Sequence, residues 1–230
     1  MLSARDVNQF YGESHTLWDL SLEIAAGATT CLMGRNGVGK TTFLKCVMGL
    51  LVPRAGEIRY GDTVLSALPA ERRAALGIGF VPQGREIFPR LTVEENLRIG
   101  LAAGHGTRRA LEDVLELFPV LRRMLRRMGG DLSGGQQQQL AIGRALVLEP
   151  KLLILDEPTE GIQPNIVHEI GDLIVKLNRE RGLTVLLVEQ KLPFARRVGD
   201  HFCILDKGRK VAAGAMSELG DDVVRQYLTV

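Results

Sequence analysis

Three places in the chain carry residues whose types and spacing could do chemistry. The first is Gly34-Arg35-Asn36-Gly37-Val38-Gly39-Lys40-Thr41-Thr42, which fits G-x-x-x-x-G-K-[ST] with Gly34, Gly39, Lys40 and Thr41 in the fixed places. Without Cβ atoms at Gly37 and Gly39, such a loop can wrap a phosphate and aim backbone N–H groups inward. A helix beginning near Lys40 adds its positive dipole end. Lys40 supplies a charge for β- and γ-phosphates, and the Thr41 hydroxyl suits a Mg²⁺ ligand.

The second place is Asp156-Glu157, directly after the apolar run Leu152-Leu153-Ile154-Leu155. Carboxylates at the C-terminal end of a buried strand sit where parallel sheets present their ligand sites. Beside a phosphate loop, Asp156 is expected to hold Mg²⁺ through water, and Glu157 to orient or deprotonate a water attacking a γ-phosphate. The third is Ser133-Gly134-Gly135-Gln136, an S-x-x-Q capping box with two glycines inside it. It reads either as an ordinary cap or as an anion site at a helix N-terminus. A second anion site beside the first suggests two nucleotides or two chains.

Elements able to position these residues follow from the pattern of apolar residues. Runs Leu2–Val7 and Leu17–Ile24 are β-like, and Thr29–Met33 feeds the glycine loop. The loop helix continues through Phe43, Leu44, Val47, Met48 and Leu51. Glu57–Tyr60 and Thr63–Leu65 form a hairpin around Gly61-Asp62. A short helix follows Pro69, a strand ends at Gln83, and Thr92-Val93-Glu94-Glu95 is a capping box opening a helix. Residues 102–108 read as a loop. Helical periodicity runs from Ala110 to Met128 with a break at Pro119, its arginines 122, 123, 126 and 127 forming a basic face. That face reads chiefly as solvated, its stems covering neighbours, and secondarily as a grip for an acidic partner or phosphates. Beyond it come a helix from Ser133 to about Leu148, the strand Leu152–Leu155, a helix over Ile166–Leu177, the strand Thr184–Val188, and a hairpin of Phe202–Asp206 and Lys210–Ala213.

Short apolar strands alternating with helices predict an α/β fold: a mostly parallel sheet covered on both faces. The chain reads as one domain over 1–230, with a core of 1–83 and 149–230 that includes an N-terminal antiparallel β region. A helical insertion of about 84–148 interrupts it. Apolar content of 45% and a net charge of +2 are ordinary for a soluble protein and do not suggest nucleic acid or a membrane surface as partner. Cys31, Cys46 and Cys203 lack metal-type spacing and read as buried thiols. No stretch is apolar enough to span a bilayer, and the N-terminus lacks a secretory apolar segment. The four histidines match no motif.

In combination the motifs are specific. Leu132-Ser133-Gly134-Gly135-Gln136 resembles the signature sequence of ATP-binding cassette (ABC) ATPases. Gly34–Thr41, Gln83 and Leu152–Glu157 complete that family's motif set in its order across nearly the whole chain. The resemblance implies a P-loop NTPase core and an ABC nucleotide-binding domain using ATP and Mg²⁺. It implies that Tyr11 stacks on adenine, that Gln83 senses Mg²⁺ and relays to a membrane partner through Gln83–Leu91, and that Glu157 is the catalytic base. It implies a head-to-tail pairing with a second ATPase subunit, identical or different, in which Leu132–Gln136 of one chain complete the ATP site of the other.

Two positions depart from the family pattern. Gln163 stands where an aspartate is usual, and Gln190 where a histidine is usual. Gln190 can still donate to a γ-phosphate but carries no titratable proton. The stretch Phe80–Leu97 resembles the branch serving branched-chain amino acid and urea or short-chain amide importers, a branch that shares this glutamine. Gln136–Gln139, Leu140–Arg144 and Thr159–Pro164 lean towards its urea-type members. That branch implies membrane-spanning permease subunits, a periplasmic solute-binding protein and a place on the cytoplasmic face of the inner membrane. A soluble ABC ATPase acting on nucleic acid is the rival from another class. One cassette, no heptad run and little net charge argue against it. A small-molecule P-loop kinase would leave Leu132–Gln136 without purpose.

Overall fold

The computed structural model describes residues 1–102 and 107–228. The chain opens with a hairpin of β1 (Leu2–Tyr11) and β2 (Ser14–Ile24), followed by β3 (Thr29–Met33), α1 (Lys40–Met48), β4 (Ala55–Tyr60), β5 (Thr63–Val64), α2 (Ala70–Ala75) and β6 (Ile78–Val81). Four helices come next: α3 (Val93–Ala102), α4 (Arg108–Leu117), α5 (Pro119–Arg123) and α6 (Gly134–Leu146). The chain then runs through β7 (Leu152–Asp156), α7 (Pro164–Arg181), β8 (Thr184–Val188), α8 (Leu192–Val198), β9 (His201–Asp206), β10 (Arg209–Ala215) and α9 (Asp221–Tyr227). The expected loop over 102–108 falls mostly on residues 103–106, outside the described residues.

Two sheets result. One is antiparallel, in the order β2-β1-β4-β5; the other runs β10-β9-β3-β8-β7-β6, parallel except for β10. The central parallel strands are apolar at every position because both faces are covered, and their alternation divides them between two cores. Cys31, Met33, Leu153, Leu155, Val185 and Leu187 pack with the helices α3–α8. Leu32, Leu152, Ile154, Leu186 and Val188 pack with α1 and the antiparallel sheet. Asp156 shares the parity of Leu152 and Ile154, so it is directed to the face on which α1 lies. The phosphate loop is therefore sandwiched between the sheets.

The helical segment differs from expectation in one respect. Helix does not continue to Met128 but stops at Arg123. The following chain turns back so that Arg127 O and Leu125 O accept from Val93 N and Glu94 N, and Met128 bridges Thr92. Those amides in the first turn of α3 have no intrahelical partner, and satisfying them outweighs prolonging a basic helix. The capping box at Thr92 and Glu95 forms as its sequence predicts. Helix α7 is longer than its apolar stripe, from Pro164 at its first turn to a left-handed Gly182 cap. The seven-residue α8 and α9 carry no periodic signal long enough to read from sequence. All three cysteines are buried and free.

Arg73 shows how the loop helix is anchored. It is 1% exposed and donates to Cys46 O and Val47 O at the C-terminal end of α1, at 2.6 and 2.7 Å, and twice to Leu68 O. A cation there also complements the negative end of the helix. Arg73→Met strands these buried carbonyls and is expected to cost about 2–4 kcal/mol, read as a lower midpoint in chemical denaturation.

Candidate functional site

Strand β3 delivers the chain to Gly34, whose φ of 142° and surroundings admit only glycine: a Cβ would lie 2.3 Å from Leu205 O. Gly39, the N-cap of α1, has φ 106°, and a Cβ there would meet Leu17 at 2.7 Å. Helix α1 has no side-chain cap and no acid in its first turn. Its leading N–H groups and positive end are thereby left for an anion. Lys40 is buried and donates from Nζ to Gly34 O and Arg35 O, both at 2.8 Å. An ammonium has three donors, so one remains for a phosphate. Burial lowers the Lys40 pKa, against which the charges of Glu157, Asp156 and Glu189 pull upward.

Around this loop the ends of the parallel strands converge. Asp156 is 2% exposed, and neither carboxylate oxygen has a well-formed hydrogen bond. Burial pushes its pKa from 3.8 to about 6; the Thr41 hydroxyl opposes the shift, Glu157 adds to it, and Lys40 and Lys45 restrain it. Two buried, unpartnered oxygens facing a threonine hydroxyl form a donor set suited to a hard cation. Glu157 adopts a left-handed φ of 49°, its N–H bonded to Val188 O. Its side chain joins a network: Gln190 Nε2 donates to Glu157 Oε1 and to Asn36 Oδ1, while Gln83 Nε2 donates to Glu160 Oε2 at 2.9 Å and to Glu157 Oε2 at 3.4 Å. The loops after β6, β7 and β8 thus meet at one carboxylate, and the loop after β3 joins them through Gln190.

Two members of this assembly escaped the sequence reading. Buried Glu189 accepts from Thr159 Oγ1 and from the N–H groups of Gln190 and Lys191, and so fixes the loop that carries Gln190. Its signal was an acid directly after the buried strand Thr184–Val188. Glu160, the partner of Gln83, lies in a turn where no spacing marks it out.

The remaining expected residues stand apart. Ser133 and Gln136 form the reciprocal capping box at the start of α6, at 3.4 and 2.9 Å, behind a buried Leu132. With Gly134, Gly135 and Gln163 they line an open cleft of about 700 Å³ that no residue of Gly34–Thr42 borders. Gln163 is the N-cap of α7 but makes no side-chain cap. Within one chain, then, the two anion-attracting helix ends do not share a pocket. Tyr11 ends β1 and is 47% exposed. Its hairpin is stiffened by His15, a residue without an expected role, whose ring stacks between Phe10 and Trp18 at 3.9 and 3.6 Å. The β9–β10 turn ties this hairpin to the loop: Gly208 N donates to Val38 O, and Trp18 N donates to Gly208 O.

A glycine loop between a parallel strand and a helix, facing carboxylates at the end of β7, the next strand but one in the sheet, defines a nucleoside triphosphate-binding α/β cassette. The ABC transporter family model matches residues 17–160, and the chain belongs to that family. It is 43% identical over 216 residues to the high-affinity branched-chain amino acid transport ATP-binding protein BraG of Pseudomonas aeruginosa, covering 92% of this chain and 91% of the relative. To the probable branched-chain amino acid transport ATP-binding protein LivF of Archaeoglobus fulgidus it is 37% identical, covering 95% and 94%. Among solved structures, the ATP-binding subunit of an ABC transporter superposes with a TM-score of 0.85 at 31% identity, over 98% of this chain and 92% of that one. A dimeric bacterial ABC transporter cassette matches with a TM-score of 0.85 at 29% identity, over 94% and 99%. The chain is an ABC ATPase and the ATP-binding subunit of a transporter.

The buried acid makes a prediction about stability. A carboxyl whose folded pKa is raised carries its full penalty above about pH 6 and none below its ordinary 3.8. Asp156→Asn should therefore raise the Tm of the nucleotide-free protein at pH 7.5, by at most about 3 kcal/mol of stability, and lose that gain below pH 4. Calorimetry across that range checks the sign.

Proposed function

We propose that this chain hydrolyses ATP between two subunits and so drives a membrane importer of small amino-acid-like or amide solutes. The observation that carries the hydrolytic reading is the meeting of Lys40, Asp156, Glu157 and Gln190 beside the glycine loop. The whole of 1–230 is read as the one ABC ATPase domain. In this reading the N–H groups of Gly34–Thr42 and Lys40 hold the β- and γ-phosphates, and Tyr11 covers the adenine. Asp156, Thr41 and Gln83 would hold Mg²⁺, which when bound neutralises phosphate charge. The orphaned oxygens of Asp156 support that assignment.

Glu157 accepts the proton of the attacking water. The left-handed backbone at Glu157 and the Gln190 amide hold its carboxylate at one place, so little reorganisation is left for the reaction. Gln190 also bonds Asn36 of the loop, which places its amide between the base and the phosphate end of the site. Leu132, Ser133, Gly134, Gly135 and Gln136 act on the ATP of the other subunit. Their cleft excludes the chain's own phosphate loop, which supports pairing in trans.

The Gln83–Leu91 segment, with Phe88 43% exposed, is read as the contact with permease subunits on the cytoplasmic face of the inner membrane. Among the described residues no helix is long and apolar enough to cross a membrane, so attachment would run through those subunits, with a periplasmic binding protein delivering solute. Similarity to BraG and LivF supports branched-chain amino acids as the solute. The glutamine run Gln136–Gln139 and Thr159–Pro164 support urea or a short-chain amide. Uptake of labelled leucine and urea by membrane vesicles containing the assembled transporter decides between them.

Lys40→Ala should reduce ATPase activity to background, and full activity in that variant would refute the loop's role. Glu157→Gln should bind ATP and accumulate as a dimer without turnover, measured by analytical ultracentrifugation with ATP. A Glu157→Gln chain that hydrolyses ATP at the wild-type rate would remove the carboxylate from the mechanism.

A further inference from the structure

Immediately after Gln83, three residues in succession have left-handed backbones: Gly84 at φ 81°, Arg85 at 72° and Glu86 at 45°. Two of them carry side chains, and such conformations persist only where the surroundings impose them. Besides the turn bonds from Arg85 N to Pro82 O and from Glu86 N to Gly84 O, two contacts from α6 hold this stretch. The Arg85 guanidinium donates from Nη1 to Gln137 Oε1 at 3.2 Å, and Arg144 Nη2 donates to Glu86 O at 2.7 Å. Gln137 and Arg144 are seven residues apart and so share one face of the helix. The Gln137 amide is itself oriented by its bond from Nε2 to Gly129 O at 3.3 Å, which leaves Oε1 for the arginine.

Gly134 makes room for this contact. A Cβ there would lie 3.1 and 3.2 Å from the two terminal nitrogens of Arg85, and one on Gly161 would lie 3.7 Å from Nη2. Arg85 therefore ties its own loop beside Gln83 to the start of α6 and lies near Gly161 in the turn after Glu157 and Glu160. Gln83 already bonds both of those acids. A cation at the positive end of a helix does not favour that helix, so capping α6 does not account for its position.

We propose that Arg85 is a positioning residue that locks the segment of Gln83 to the first turn of α6 within one chain. A movement of Gln83 at the γ-phosphate end of the site then carries Ser133–Gly135 with it, towards or away from the partner's nucleotide. The Arg85 guanidinium bonds Gln137 of α6 rather than the loop that holds the chain's own ATP. The proposal rests on the reading of Gln83 and Leu132–Gln136 given above.

The test is steady-state ATPase kinetics on the full chain with Arg85→Met, Gln137→Leu, the double variant and Arg85→Lys. Removing the contact is expected to lower kcat roughly tenfold, the size of a lost charge-assisted hydrogen bond, with KM for ATP changed less than about twofold. The double variant should be no worse than the poorer single one, because both remove the same contact. Arg85→Lys should recover part of the rate, since it restores the charge without the planar fork. An unchanged kcat in Arg85→Met would overturn the proposal. So would losses that multiply in the double variant, or a fall in kcat accompanied by a matching rise in KM and a lower Tm in both single variants. Failure of the underlying reading looks different: the wild-type chain itself would show no ATP turnover, and this proposal would fall with it.

Discussion

The charge imbalance beneath the phosphate loop governs the rest of the structure. Asp156 is buried with no well-formed hydrogen bond, its burial offset chiefly by the Thr41 hydroxyl, and Lys40 is buried with its charge turned onto loop carbonyls. Neither arrangement favours folding, and both are tolerated because two hydrophobic cores clamp the strands that carry them. The site is assembled from charges that a nucleotide and a cation would satisfy, held by a sheet with no freedom to relax around them. Binding affinity and fold stability therefore draw on the same groups, with opposite sign.

Conformational strain is also present in the same region. Glu157, Arg85 and Glu86 all adopt left-handed backbones without being glycine, and each sits where the chain leaves a parallel strand for a functional loop. In each case another segment adds a restraint: Val188 for Glu157, and α6 for the other two. The loops are consequently not independent. Displacing α6 alters the backbone next to Gln83, and displacing β8 alters the backbone of Glu157.

Sequence spacing revealed the loop, the paired acids and the capping box because each depends on neighbours within a few residues. The strand Thr184–Val188 and the boxes at Thr92 and Ser133 were legible for the same reason. Features set by distant partners were not. Helix stops at Arg123 because α3 needs carbonyls, and nothing near Met124 announces that need. Nothing in the short helix after Pro69 marks out Arg73, yet it is buried against carbonyls of residues more than twenty positions away. Glu189 and Glu160 acquire their roles only once four loops meet. His15 matched no motif because stacking between Phe10 and Trp18 is a hairpin property, set by which residues face each other across the turn.

The aromatic stack has an optical consequence. The chain contains a single tryptophan, Trp18. Its ring lies against His15 and under the Arg209 guanidinium, and its backbone is bonded to the turn that touches Val38. Its indole N–H donates to His15 O, so the emitting group is fixed on both its face and its edge. The tryptophan fluorescence of this protein thus comes from one rigid chromophore at the rim of the nucleotide loop, and the molecule contains an unlabelled reporter of what happens there.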